Sequence, residues 1–549
     1  MAGHRQRMAR VPSAAGAALE MRQTSPIPAT PLPVRVLPST LTDLFPLFVL
    51  GFFLLYSNHL FTIVDGEALN LSREAQPIRV LWAMTRSGEQ GHPPVYDFLL
   101  HFWLSFTGGA FDWLRVPSIV FYLVGLWLLS RAAHRIGGAN CATVLILLGA
   151  LWPYGFHFGR LATPYALAFL LISGMTWAYL RYRDLPGTAA WFVVCLFALS
   201  LAYTNYFGWV LIGLLGADDW LRHRTQPGAG RRLLISAIIL AMAYAPLWRA
   251  FLNELAQTTH GIRPLGTLLF NAGFNVYVLL VSDSVAPWFW RFGIPGALAV
   301  ASCFILAFLG TKGPARQFLV FSALLIALMA ALGILRTETL LLVAPWILLP
   351  LAAALVKPNQ RQRIRALAAL LFVVAGIGWY GTYRRQYYAS RRFLQPWPAI
   401  AAEAAGALGQ GSGVIGNNPS FFFYLTYALK IPGTAPMPWR FMGMLPRDVH
   451  SENVWAPEEW ITAGRPIRPR MFWIRGMRGP DEGTPMAAAA DWLDHVCGDR
   501  SIHFLSRDPG YSLKQRYLPE RGDLVWQVET HEYDCSQGVA PPAAPSGRQ

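Results

Sequence analysis

The sequence predicts a polytopic α-helical membrane protein of about 11 transmembrane helices with a small soluble α/β domain at its C-terminal end. Three observations carry that expectation. Of its 549 residues, 54% are hydrophobic and only 14% charged, against roughly 25% charged in a soluble domain. The apolar residues gather into runs approaching the roughly 20 needed to cross a bilayer, separated by arginine-rich turns. From about residue 383 those runs stop, and shorter β-patterned stretches replace them.

Taken in order, residues 1–42 hold Arg5, Arg7, Arg10, Arg22 and Arg35 among Pro, Ala and Ser, with no periodicity. This reads as a disordered basic tail. No small-residue cleavage site follows the first apolar run, so that run reads as an uncleaved span rather than a signal peptide. Apolar segments then fall near 43–61, 114–131, 140–157, 164–180, 188–204, 206–221, 233–250, 293–310, 317–335, 340–356 and 366–381. Alternate loops collect the cations: Arg131 and Arg135, Arg181 and Arg183, Arg222 to Arg232, Lys312 and Arg316, Lys357 to Arg365. The opposite turns hold few, chiefly Arg160, Arg249 and Arg336. By the positive-inside rule the N-terminus is cytoplasmic and the C-terminal domain extracytoplasmic, in an inner or plasma membrane. The net charge of +16 is thus a topology and headgroup signal, with no nucleic-acid partner implied.

"PVYDFLLHFWLSF" (Pro94 to Phe106) is too short to span, and counting it would invert every later loop. It reads as an amphipathic helix on the outer interface, inside a large first outer loop, 62–113. Leu265 to Trp290 reads as a second non-spanning outer stretch, broken by Pro264, Gly266, Gly273 and Pro287. In the 383–537 domain, "GVIGNNPSFFFYLTYALK", "RPRMFWIRGM", "SIHFLSR" and "DLVWQVETHEY" suggest strands, between helices at Ala399–Leu408 and Ala487–His495. Residues 538–549 read as a disordered tail. Cys141, Cys195 and Cys303 lie in apolar runs and suit core positions; Cys497 and Cys535 can pair if their domain meets an oxidising compartment.

The chemistry-bearing residues cluster on the outer side. Asp65 and Glu67 stand one residue apart just beyond the first span. Asp65 suits a helix cap; equally, a carboxylate at a low-dielectric boundary suits general-base work, with its companion binding a cation, positioning the acceptor or holding the loop. His92 precedes two prolines that fix the approach to the interfacial helix, and can donate a hydrogen bond to a phosphate; His101 reads as packing. Arg160 and Arg336 stand alone in charge-poor outer turns, where they either snorkel to headgroups or neutralise a substrate phosphate. Glu338 can pair with Arg336 or bind acceptor. Arg73, Arg79, Arg86 and Arg115 are further phosphate or headgroup candidates. The sequence carries no phosphate loop, no GxGxxG after a strand, no Cys/His metal spacing and no GxSxG. No cofactor is therefore expected, with a divalent cation left open.

The first span, the acidic pair at its end, "GHPPVYDFLLHFWLSFTGGAFDWLRVPSIVF" and "GRLATPYALAFLL" together resemble the GT-C polytopic glycosyltransferases. The likeness is greatest to the protein O-mannosyltransferase and aminoarabinose-transferase branch (glycosyltransferase family 39-like), over roughly residues 43–380. The resemblance implies transfer of a sugar from a polyprenyl-phosphate donor to a lipid, polysaccharide or protein acceptor on the extracytoplasmic face, with inversion. By position it implies Asp65 as catalytic carboxylate, Glu67 as its companion and His92 as a donor-phosphate contact. It places Tyr165, in the turn before the next span, in the substrate-binding set. The chain departs from the family where Gly66 splits the acidic pair, and where "RLATPY" replaces Glu-Ala-Arg-Pro-Tyr. Which acid is catalytic stays open. Two other readings compete: a flippase or transporter of lipid-linked sugars, which wants polar residues and broken helices at midplane, and a polysaccharide polymerase or a scaffold for an active soluble domain.

Overall fold

The computed structural model describes residues 41–74, 77–88, 91–107, 113–258, 264–357, 360–429, 453–478, 484–507 and 526–536. The expected N-terminal tail lies outside these but for residues 41 and 42, which open the first helix; the expected C-terminal tail lies wholly outside.

Helix α1 (Leu41–Tyr56) ends in a 3-10 turn, Ser57–Leu60, and a short extended piece leads to α2 (Asp65–Glu74), α3 (Ile78–Ser87) and α4 (Val95–Thr107). The stretch read as a helix from Pro94 onward is helical, as α4. Helix α5 (Val116–Leu151) absorbs two expected segments, separated inside it by a break at Gly137 and Gly138; Gly138 has φ +73°, a conformation cheap only for glycine. Then come α6 (Pro153–Phe158), α7 (Pro164–Asp184), α8 (Thr188–Ala202), α9 (Gly208–His223), α10 (Ala229–Ala243) and α11 (Trp248–Thr258). Helices α12 (Leu265–Val281), α13 (Trp290–Gly310), α14 (Pro314–Ala331), α15 (Ala344–Leu355) and α16 (Arg361–Arg384) complete the membrane part.

Among the described residues, α5, α13, α14 and α16 are long and apolar enough to cross a membrane, and α10 with α11, bent by 53°, would make a fifth. Residues 44–60, α8, α12 and α15 are shorter apolar helices. Helix α12 corrects one expectation. Pro264 precedes it and Pro287 follows it, while Gly266 and Gly273 sit inside an unbroken helix with open space around them. Its second half is largely buried, at Asn271, Phe274, Asn275 and Tyr277 to Val281, because two isolated glycines weaken a helix by only about 1 kcal/mol each and apolar packing outweighs that.

The α16 helix is held against the core where glycines permit it. A Cβ on Gly378 would stand 2.3 Å from the Val281 carbonyl oxygen, and one on Gly381 would stand 2.4 Å from that of Ser284. This close approach brings the end of α16 and the chain after it beside α6.

Beyond α16 the chain forms α17 (Trp397–Gly409), β1 (Gly413–Gly416), α18 (Pro419–Ala428), β2 (Val454–Trp455), α19 (Pro457–Thr462), β3 (Arg470–Arg478), α20 (Pro485–Val496), β4 (Gly498–Arg507) and β5 (Trp526–Asp534). The sheet runs β2-β1-β3-β5-β4. Strand β1 is parallel to β2 and β3, and β5 is antiparallel to β3 and β4, with Met471 opposite Tyr533. Cys497 and Cys535 form a disulfide. The stretch expected as one strand, "GVIGNNPSFFFYLTYALK", is instead β1 followed by α18. Asn418 accepts the Phe421 N–H through Oδ1 at 3.0 Å and Pro419 opens the helix, an N-cap and first-turn proline that override the β preference of the aromatic run.

Candidate active site

The extended piece between α1 and α2 carries no side-chain charge of its own until Asp65, the first residue of α2. Two residues on, Glu67 is fully buried and takes Arg115, which precedes α5, in a two-pronged ion pair: Nε to Oε1 at 2.7 Å and Nη2 to Oε2 at 2.6 Å. The same carboxylate accepts N–H bonds from Ala162 at 2.9 Å and Val64 at 3.2 Å. Arg115 spends its remaining donors on the Asn58, Phe61 and Thr62 carbonyls and on Asn58 Oδ1. Burial would lift the Glu67 carboxyl, but the guanidinium and the two amides outweigh it and hold the group below the usual carboxylate range. A carboxylate with four donors and a depressed pKa is a clamp: it binds α2 to α5 and to the turn after α6. Asn70 reinforces that turn by donating to the Ala162 carbonyl at 3.1 Å. Arg73 lies near the end of the same helix, eight residues from Asp65.

Arg160, in the turn between α6 and α7, is 1% exposed. Its guanidinium carbon lies 3.9 Å from the centre of the Phe61 ring and 4.7 Å from that of Phe156. Nη1 reaches Ser57 Oγ at 3.4 Å, while Nε and Nη2 are buried with no hydrogen-bond partner. Burial, then the nearby Arg115, lowers its pKa to about 9. Arg385, the left-handed cap of α16, stacks over the same Phe61 ring at 5.6 Å. Among the described residues neither Arg160 nor Arg385 has an ion-pair partner. Arg385 also lines a cavity of about 480 Å³, bounded in addition by Leu60, Thr62, Arg391, Phe393 and Leu394. His157 packs edge-on to Phe61, and its Nε2 meets Thr382 at 3.1 Å and Tyr388 at 3.2 Å. Burial and the Arg160 charge push its pKa well down, so the ring is neutral.

A second group gathers around His92. Nδ1 lies 3.6 Å from Asp97 Oδ1 on α4, and Nε2 is buried without a hydrogen-bond partner. Half-buried Glu254 on α11 is lifted above the usual carboxylate range by burial, against the pull of His92 and Arg336. These residues therefore share one electrostatic neighbourhood. Arg336 is exposed; Glu338 Oε2 accepts from the Thr337 hydroxyl at 3.3 Å. The 336–342 turn is tied to α6, since Tyr154 donates to the Thr337 carbonyl at 2.6 Å. Tyr165, second residue of α7, is half-buried. Arg79 and Arg86 are exposed on α3, and His101 packs against Phe102.

The structure thus joins Glu67 with Arg115, and His92 with Asp97, Glu254 and Arg336. Sequence reading missed Asp97, His157, Glu254, Arg385 and Arg391. Asp97 and Glu254 had a legible signal, one acid on each of two amphipathic helices; His157 and Arg385 had none. Among the described residues no group of three or more His, Cys, Asp or Glu is placed to hold a metal ion.

The sequence profile of the family described as dolichyl-phosphate-mannose-protein mannosyltransferase matches residues 91–248. That segment includes His92, Arg115, Arg160 and Tyr165 and begins after Asp65 and Glu67. No curated protein matches the chain. Among solved structures, ArnT from Cupriavidus metallidurans in the apo state is similar over 91% of this chain and 99% of its own, at 14% identity and a TM-score of 0.51. The same protein bound to undecaprenyl phosphate covers 93% and 99%, at 14% identity and a TM-score of 0.47. The mycobacterial arabinofuranosyltransferase AftD covers 68% of this chain and 29% of its own, at 17% identity and a TM-score of 0.42. The likeness to apo ArnT establishes the fold: a multi-helix architecture followed by a small sheet-containing domain.

Proposed function

We propose that this chain is a multi-pass membrane glycosyltransferase that moves a sugar from a polyprenyl-phosphate carrier to an acceptor on the extracytoplasmic face. The observation that carries the reading is Arg160. A guanidinium buried at a helix end with two unpartnered nitrogens is a large desolvation burden, and an anion is what relieves it. Arg385, which stacks on the same Phe61 ring, and Arg391 line a cavity to which, among the described residues, they add cations without adding a carboxylate. A lipid phosphate fits that chemistry. The dolichyl-phosphate donor in the name of the family matched over 91–248 points to the same class.

In this mechanism Asp65 accepts the proton of the acceptor hydroxyl or amine as that atom attacks the anomeric carbon. The bond from that carbon to the phosphate oxygen breaks on the opposite side, which inverts the centre, and the electron pair leaves on polyprenyl phosphate. Arg160, with Arg385 and Arg391, neutralises the charge that develops there. Glu67, committed to Arg115, holds the loop. His92, through its unpartnered Nε2, together with Arg336, Glu254, Glu338 and Tyr165, binds the sugar or the acceptor; Arg73 belongs to the same substrate-binding set. The Cys497–Cys535 disulfide and the arginine-rich loops at the opposite helix ends support an extracytoplasmic site.

The test is turnover of polyprenyl-phosphate sugars by the purified chain in detergent, with Asp65→Asn alongside. Transfer by the wild type and none by the variant, at equal melting temperature, is the expected result. Movement of the lipid-linked sugar across vesicles with its sugar–phosphate bond intact would favour a flippase and overturn the proposal.

A further inference from the structure

Between Phe61 and Val64 the chain is extended, and every backbone N–H in it has a partner. Phe61 N–H meets the Asn58 carbonyl at 3.4 Å, Thr62 N–H the Phe393 carbonyl at 3.1 Å, Ile63 N–H the Tyr424 hydroxyl at 3.0 Å and Val64 N–H the Glu67 carboxylate at 3.2 Å. Two of these four partners come from beyond α16. Phe393 sits in the turn that leads to α17, and Tyr424 is on α18, which follows the first strand of the sheet. The faces agree with the hydrogen bonds: Phe421, Phe422, Phe423 and Leu425 of α18 are buried in the same apolar core as Phe61, Ile63 and Leu71.

We propose that Tyr424 is a positioning residue, and that through it the outer domain sets the place of the loop that ends in Asp65. The membrane part is then incomplete on its own. The sheet carries α18, α18 carries the hydroxyl, and the hydroxyl fixes Ile63 two residues before the proposed base. The Tyr424 oxygen accepts from Ile63 and retains its proton, since burial raises the phenol above its usual range. Without that oxygen the Ile63 N–H, on a residue with no solvent exposure, faces apolar surroundings, and relieving it requires the strand to shift. A displacement of about 1 Å at a catalytic group is enough to lose a large factor in rate. For catalysis this inference rests on the function proposed above; the placement of the loop does not.

The experiment uses the full chain in lipid nanodiscs. Tyr424→Phe keeps the ring and removes only the oxygen; Asn418→Ala, which weakens the N-cap of α18, is the second variant. Amide hydrogen exchange over 61–67 is expected to rise about tenfold in Tyr424→Phe, and by less in Asn418→Ala, with exchange in β3 and β5 unchanged. In the same preparations kcat for lipid-linked sugar falls about tenfold while KM for the donor moves less than twofold, since placement of the base is lost and donor contacts are kept. Unchanged exchange at Ile63 overturns the proposal, as does raised exchange with wild-type kcat, which makes Tyr424 a stabilising contact only. If the wild type turns over no lipid-linked sugar, the function reading fails, while the exchange arm still decides whether Tyr424 holds the loop.

Discussion

Helix α7 joins two clusters of buried charge, and they are built differently. At its C-terminal end Asp218 faces Arg222 at 2.8 Å and accepts from Tyr179 at 2.6 Å. Asp219 there faces His223 at 2.9 Å and pairs with Arg232, whose guanidinium also stacks over Tyr182 and Trp191. At its N-terminal end Glu67 has Arg115, but Arg160 has two aromatic rings, one serine and, among the described residues, no ion-pair partner. Both ends stack arginine on aromatics. At one end each buried acid has its base; at the other a buried base is left over. Under the function proposed above, that surplus cation is where the lipid phosphate supplies the missing anion.

The largest effect is expected where the clamp is opened. Removing one partner of a buried, hydrogen-bonded ion pair costs about 3–5 kcal/mol, so Arg115→Ala or Glu67→Ala should abolish folded chain or cut its melting temperature sharply, with transfer lost alongside. Glu67→Leu with Arg115→Met should sit closer to wild type than either single change. The pair also sets an acid limit. Glu67 titrates lower in the fold than its ordinary 4.5, so its contribution is complete above pH 4.5 and fades as pH falls through the lowered value. Melting between pH 3 and 6 checks this: Glu67→Gln should lose that part of the acid dependence, and an unchanged curve would show that the clamp contributes nothing.

The next effect separates binding from stability. Arg160→Met keeps bulk and removes the charge, so polyprenyl phosphate should bind about 10- to 100-fold more weakly, the size of one or two charge-assisted hydrogen bonds. The melting temperature should hold or rise. The pH dependence has a definite sign. With a folded pKa of about 9 against 12.5 unfolded, the unfolded chain binds more protons above pH 9, so ligand-free stability gains from this group as pH rises through that range. Equal affinity in the wild type and Arg160→Met at pH 8 would remove Arg160 from the donor site.

Much of the helical part was legible because hydrocarbon thickness fixes a run length that a sequence shows directly. Break positions were less so: Gly137 and Gly138 do interrupt α5, while Gly266 and Gly273 do not interrupt α12, although Gly138, Gly266 and Gly273 all stand in open space and nothing local in the sequence separates them. Charge pairing was the least legible. Glu67 and Arg115 are 48 residues apart, and no periodicity connects them. In α18 the capping signal Asn418-Pro419 was present and outweighed in reading by three phenylalanines and a tyrosine. A smaller effect is expected from chelation, since in the proposed mechanism arginines rather than an ion neutralise the phosphate; EDTA should leave the transfer rate within about twofold, a change too small to reflect loss of a charge-neutralising ion.

The smallest effect on transfer is expected at the other end of α7, and that experiment tests the comparison itself. Arg232→Met leaves Asp219 with His223 as its remaining basic neighbour. Because the carboxylate is fully buried, the change should cost about 1–3 kcal/mol of stability, toward the low end since Arg232 is one-third exposed and partly screened. The rate per folded molecule should not move, because the Arg232 guanidinium already has its carboxylate in Asp219, with only Nε left without a hydrogen-bond partner. If Arg232→Met lowered kcat as far as Arg160→Met while its melting temperature stayed high, the paired end would be functional too. The surplus cation would then have lost its claim to mark the site, and charge coupling along α7 would have to carry the explanation.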